Sequence, residues 1–404
     1  MKFIDGGICA AKGFKAGGIH CGIRKNKSKK DLAAYVCEVK CTAASTHTQN
    51  LVKGAPNTVT AQNLSDGHAQ AMICNSGIAN TCAADGIEKA EKMCELIANK
   101  LNVDKTDIVV ASTGVIGPSI DLEPIENGLD ELVSGLSENG NTDAAEAIMT
   151  TDTISKQVAV EFTLGGKVCC IGGMAKGSGM IMPNMATMLC FLTSDACISP
   201  EMLSCALKSV VDDTFNMVSV DGDTSTNDMC SILCSGLCEN KEITDFGEDY
   251  DTFKNALFEV LRKLSKMIAA DGEGATKLIE CNVSGAIDTK SAKTVAKSVI
   301  NSSLLKAAIF GADANWGRVL CAIGYSGADV DVSKIFVDFE SIAGTVTVCE
   351  NGAGIEVDEE FATAVLSEKE IKINITLGDG EGSATAWGCD LTYDYVKING
   401  DYRS

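Results

Sequence analysis

Between Gly172 and Leu189 the chain carries Gly172, Gly173, Gly177 and Gly179, the lone Lys176, Pro183 and then Thr187, which opens the apolar run Met188 to Leu192. A small-residue loop feeding a buried strand can present one hydroxyl to a pocket, and Thr187 is the candidate nucleophile. A hydroxyl nucleophile needs a base. Histidine occurs only as His20, His47 and His68, none of them in a catalytic motif. There is no G-x-S-x-G elbow, no H-E-x-x-H and no G-x-x-x-x-G-K-[ST] run. One remaining solution is a threonine made N-terminal by chain cleavage. Its α-amine, with an unperturbed pKa of about 7.7–8.0, accepts a proton near neutral pH. The same Oγ can make the cut by attacking the Ala186 carbonyl, water then hydrolysing the ester; the flanking glycines permit the strained loop this needs. The competing reading of these residues is an ordinary loop–strand junction.

Other stretches place polar groups where backbone can approach a ligand. Ser112-Thr113-Gly114-Val115-Ile116-Gly117-Pro118 follows the short apolar run Ile108 to Val110, so a strand ends in a hydroxyl–glycine turn with exposed amides. Asp271-Gly272-Glu273-Gly274 sets a carboxylate between glycines just past a helix end, which also suits a plain C-cap and turn. Asp221 to Asp228 has the density of a calcium loop but lacks its sixth-position glycine. Cys230, Cys234 and Cys238 share a helical spacing without a nearby histidine, so no metal site is expected.

The elements that must hold these groups follow from periodicity. Residues 69–74 read as a buried strand, and residues 86–101 as a helix with Ile87, Ala90, Met93, Cys94 and Ile97 on one face. Asp143 to Ile148 reads as a short helix closed by Thr150-Thr151-Asp152-Thr153. Residues 251–270 carry a continuous stripe from Phe253 to Ile268, and residues 199–213 and 288–308 also read as helices. The last hundred residues alternate strand-like runs with glycine turns, and the tail from Tyr395 reads as strand-like. The expected class is α/β with two lobes.

Composition bounds the function. The 404 residues suffice for two domains, and 45% hydrophobic with 22% charged residues suits a globular core. A formal charge of −21 argues against nucleic acid or an anionic membrane as partner. The 19 cysteines are odd in number and scattered, and are expected to be reduced thiols packed as small hydrophobes. Met1 to Asp5 places an acid where a signal peptide is apolar, so a cytoplasmic location is expected.

The run Met174 to Leu189 closely resembles the self-cleaving signature of the ornithine acetyltransferase (glutamate N-acetyltransferase) family. Ala11 to Phe14, Ser112 to Gly117, Met149 to Thr153, Asp271 to Lys277, Gly311 to Arg318 and the C-terminal tail look like family segments in family order, so the resemblance spans the chain. It implies a layered α/β sandwich with an N-terminal-nucleophile-like site. It implies cleavage into an α chain, 1–186, and a β chain, 187–404, associated as α2β2. The implied activity is acetyl transfer from N2-acetylornithine to glutamate in arginine biosynthesis. Thr187 would be acetylated midway through a ping-pong cycle, and Thr113 and Gly114 would form the oxyanion hole. Thr150 or Thr151, Lys176, Glu273, Asn399 and Ser404 would line the substrate site. No metal or cofactor is implied; acetyl-CoA is a candidate co-substrate, since both mono- and bifunctional members occur. Ile78 and Met182 depart from the family pattern, neither at an implied catalytic position. A self-processing amidohydrolase or aminopeptidase is the competing enzyme, and an uncut amino-acid-binding protein the competing non-enzyme.

Overall fold

The computed structural model describes residues 1–182 and 188–401; Ala186, Thr187 and Ser404 lie outside the described residues. In chain order the first part forms β1 (Lys2–Ile4), β2 (Phe14–Ile19), β3 (Leu32–His47), α1 (Ala55–Asn63), β4 (His68–Asn75) and α2 (Gly86–Leu101). Then come β5 (Ile108–Ser112), α3 (Glu123–Ser134), α4 (Asn141–Ala147), β6 (Lys156–Leu164) and β7 (Lys167–Lys176). The second part begins with β8 (Leu189–Ser194), α5 (Pro200–Asp213), β9 (Val218–Ser219), β10 (Met229–Cys234), α6 (Glu248–Ala270) and β11 (Leu278–Ala286). It continues through α7 (Thr289–Ile300), α8 (Ser303–Phe310), α9 (Trp316–Gly324), β12 (Phe336–Ser341), β13 (Gly344–Glu350) and β14 (Ala353–Gly354). It closes with α10 (Glu359–Leu366), β15 (Glu370–Thr376), β16 (Gly382–Cys389) and α11 (Tyr393–Asp401).

Two sheets organise these elements. The first runs β1-β6-β7-β8-β10-β3-β4-β5, with β2 also on β3; the second runs β14-β13-β12-β15-β11-β16-β9. β8 and β10 are buried at every position and pair in parallel, as a strand covered on both faces must read. Further along the sheet, alternation sorts the side chains. Leu32, Ala34, Ala71, Ile73, Ile108 and Val110 join one core with α2 and α3, while Ala33, Tyr35, Met72, Cys74 and Val109 join another with α4. The stripe of α6 packs on β6 and β7 of the first sheet and on β11 and β16 of the second, and α7 packs on β11 and β16. The architecture is layered α/β, as expected. The 186/187 boundary does not coincide with a boundary between sheets, because β8 and β10 belong to the first sheet along with β1 to β7.

Five sequence readings are corrected. The tail from Tyr395 is helical, not strand-like: Val396 and Ile398 favour strands locally, but α11 lies on the surface with no buried residue. The expected helix 288–308 is two helices, divided where the Ser302 side chain accepts from the Leu305 amide at 3.3 Å as an N-cap. Cys230 and Cys234 lie on a strand, and Ile87 is 42% exposed rather than part of the α2 inner face. Cys169 is disulfide-bonded to Cys238 just beyond β10, their Cα atoms 5.7 Å apart, whereas the other 17 cysteines are free. That pairing joins residues 69 apart in sequence, which spacing alone does not reveal.

Candidate active site

The first sheet ends in a set of loops whose tips meet the C-terminal end of α6. Gly114 follows β5 with φ +126°, and a Cβ there would stand 2.2 Å from the Gly77 carbonyl oxygen, so only glycine fits. The amides on either side are used: Thr113 N donates to Asn75 O at 3.0 Å and Val115 N to Gly77 O at 3.1 Å. None of the hydrogen bonds among the described residues uses the Gly114 amide between them. The turn is fixed from below by buried Asn227, whose Nδ2 donates to Ala79 O at 2.6 Å and Ser112 O at 2.9 Å.

Lys176 is the last residue of β7 and is buried; its Nζ donates to Thr113 Oγ1 at 3.4 Å. Burial lowers its proton affinity below an ordinary lysine's, with Asp152 opposing and the Lys156 and Arg24 charges adding to the effect. Past Gly177, Ser178 Oγ meets Thr151 Oγ1 at 2.7 Å, and Ser178 O accepts from Glu273 N at 2.9 Å. The Glu273 carboxylate lies directly over Gly179, where an added Cβ would come within 2.4 Å of its Cδ. Glu273 Oε2 accepts from Asn399 Nδ2 of α11 at 2.8 Å.

These groups enclose a cavity of about 500 Å³, with Thr113, Gly114, Thr150, Thr151, Lys176, Glu273 and Asn399 in its wall. All the described residues singled out from the sequence as site residues therefore meet in one place, drawn from five separate segments. Among the described residues one cation, Lys176, and one carboxylate, Glu273, face the same cavity, which suits a small ligand with both an anionic and a cationic end.

Sequence reasoning passed over several contributors. Asp221 is no calcium ligand here: its Oδ2 accepts from Met180 N at 2.6 Å and its Oδ1 from Ile181 N at 2.8 Å. Met182 N donates to Asp223 O at 2.9 Å, and Met229 N to Met188 O at 3.0 Å. Residues 221–229 thus grip the chain on both flanks of 183–187. Asp228 is buried, and its Oδ2 has no hydrogen-bond partner among the described residues; burial pushes its carboxyl well above the usual range, against Ser225, the Met188 amide, Thr48 and Lys176. Asp152 is opposite in character. Burial disfavours its charge, but Lys176 and Lys156 hold the carboxyl well below the usual range. The useful signal was density: hydroxyl and amide side chains crowd Asp221 to Asp228 more than a surface turn needs. Away from the cavity, Asp195 lies within 4.8 Å of the Cys169 and Cys238 sulfurs, which are bonded to each other and so are not thiolate ligands.

Fold and site together define a layered α/β protein whose pocket, at the loop end of a mixed sheet, presents an ammonium and a carboxylate. The comparisons give the particular family. Residues 15–404 match the ArgJ family, and the chain belongs to it. It is 48% identical, over the whole of both chains, to the arginine biosynthesis bifunctional protein ArgJ of Caldanaerobacter subterraneus subsp. tengcongensis. It is 44% identical to the protein of that name from Bacillus subtilis, covering 99% of this chain and 97% of that one. Among solved structures, the Bacillus halodurans ArgJ protein is 47% identical with a TM-score of 0.50, matching 52% of this chain and 98% of the crystallised one.

Proposed function

We propose that this chain is an acetyltransferase of arginine biosynthesis that moves acetyl from N2-acetylornithine to glutamate through an acetyl-Thr187 intermediate. The observation that carries the reading is the convergence of Thr113, Gly114, Thr150, Thr151, Lys176, Glu273 and Asn399 on one cavity in an ArgJ-family chain. Cleavage between Ala186 and Thr187 frees the α-amine that serves as base. Oγ attacks the acetyl carbonyl, and the Thr113 hydroxyl and Gly114 amide stabilise the oxyanion. The amide C–N bond then breaks, the departing amine takes the proton and ornithine leaves. The glutamate amine attacks the ester, returning Oγ to the hydroxyl and giving N-acetylglutamate. Lys176 holds the substrate carboxylate and Glu273 the ornithine ammonium, each opposite in sign to its partner. In this reading Ser404 is a further substrate-contacting residue, the α chain 1–186 and β chain 187–404 stay together as α2β2, and the enzyme works in the cytoplasm. No helix among the described residues is long and apolar enough to cross a membrane.

The transfer reading is tested by incubating N2-acetylornithine with and without glutamate. N-acetylglutamate appearing only with glutamate is expected; acetate release independent of glutamate would establish the hydrolase instead. The relatives are named bifunctional, which supports acetyl-CoA as a second donor. Glutamate acetylation with acetyl-CoA alone tests that. The half-length match to the Bacillus halodurans chain supports processing. A Thr187→Ala chain is expected to stay whole, read by reducing, denaturing mass spectrometry.

A further inference from the structure

Beneath the cavity lies a cation with no exposed surface. Lys156 opens β6 and is 0% exposed; its Nζ donates to Asp152 Oδ1 at 2.7 Å and to Asp271 Oδ2 at 2.5 Å. Neither carboxylate stops there. Asp152 accepts from Gly177 N at 2.7 Å and from Thr150 N at 3.0 Å. Asp271 accepts from Thr153 N at 3.1 Å and from the Thr153 hydroxyl. Three segments that wall the cavity, 150–153, 176–178 and 271–273, are therefore tied to a single ammonium through two carboxylates. The ammonium itself is absent from the cavity wall.

This arrangement is costly as a mere filler. Two anions and a cation are withdrawn from water, and a well-packed apolar cluster of the same volume is commonly no less stable. What ionic hydrogen bonds supply that apolar packing does not is fixed direction. The residues fixed are the neighbours of the charged pocket groups: Asp152 is bonded to the amide directly after Lys176, and Asp271 stands two residues before Glu273.

We infer that Lys156 is a positioning residue that sets the spacing between Lys176 and Glu273, and through it the length of the amino-acid side chain the site accepts. This rests on the proposed transferase reading. A ligand held at both charged ends registers an error in that spacing, whereas one held at a single end does not. One methylene of mismatch is worth about 10–200-fold in discrimination at a well-fitted site. The wild-type enzyme should therefore prefer N2-acetylornithine to N2-acetyllysine, which is longer by one methylene, and variants of the ionic cluster should lose that preference.

The experiment measures kcat/KM for both donors, with glutamate as acceptor, in the wild type and in three variants. Lys156→Met removes the cation. Lys156→Met/Asp271→Asn removes the cation together with one of its carboxylates, and leaves Asp152 opposite the Lys176 charge, so no uncompensated ion remains to prevent folding. Thr153→Val removes one bond to Asp271 at an exposed position and should fold like wild type. The expected result is a fall of at least about tenfold in the acetylornithine-to-acetyllysine ratio for the double variant, and a smaller fall in the same direction for Thr153→Val. Equal losses for both donors, with the ratio unchanged in every folded variant, would overturn the inference and leave Lys156 a structural residue. Wild type that transfers acetyl from neither donor would instead refute the transferase reading.

Discussion

Gly114 and two aspartates show how single residues fix the chemistry. A methyl group on Gly114 would displace the turn that aims its amide, because the Gly77 carbonyl occupies that space. Gly114→Ala should lower kcat by about 10²–10³-fold, the usual worth of one oxyanion donor, while KM changes little; the acetyl-transfer assay checks both. Asp152 and Asp228 are both buried but are pushed in opposite directions. Burial pushes the Asp228 carboxyl up toward its uncharged form, so the isosteric Asp228→Asn should shift the thermal midpoint less than Asp152→Asn does. Asp152 is ionised, and Asp152→Asn leaves Lys156 and Lys176 undercompensated, at a cost of about 3–5 kcal/mol. The sign with pH follows. A depressed carboxyl contributes stability that is full above its unfolded value near 3.9 and is lost as pH falls through the folded one. Melting below about pH 4 should therefore be steeper with pH in wild type than in Asp152→Asn.

At the scale of elements, α11 closes the cavity with very little packing. It is held by the Phe310–Tyr393 ring pair, the Tyr395 hydroxyl on Asp221 at 3.3 Å and the Asn399–Glu273 bond. A chain ending at Leu391 should keep both sheets, lose only a few degrees of thermal midpoint and raise KM for acetylornithine at least about tenfold; calorimetry and kinetics read the two effects separately. This helix also marks where the sequence stops being informative. The stripe from Phe253 to Ile268 announces α6 because burial on one face dictates the pattern, and residues 69–74 announce β4 for the same reason. A surface helix with no buried side chain imposes no pattern, so Val396 and Ile398 suggested a strand instead. Part of the described cavity wall was legible in the residues themselves, in the hydroxyl–glycine turn Ser112 to Pro118 and the glycine-flanked Glu273, whereas Thr150, Thr151, Lys176 and Asn399 were pointed to by the family resemblance. Lys156 was not, since a lysine opening a strand looks like any solvated end until the fold buries it.

At the scale of the molecule, the proposed cut falls inside the first sheet. β7 and β8 pair antiparallel from Ile171↔Ser194 to Lys176↔Leu189, so scission between them opens a hairpin without separating its strands. The two products share one hydrogen-bonded sheet and one core, and they should copurify without exchanging partners until the protein is unfolded. The Cys169–Cys238 bond adds a covalent counterpart. Cys169 belongs to 1–186 and Cys238 to 187–404, so scission turns a crosslink within a chain into one between chains. A processed molecule denatured without reductant should weigh what the precursor weighs plus the water of hydrolysis and less the two thiol hydrogens, and it should resolve into two masses only after reduction. Cys238→Ser should resolve into two masses in either condition. To any measurement of mass that leaves its sulfurs alone, the break in the chain then shows only as one added water.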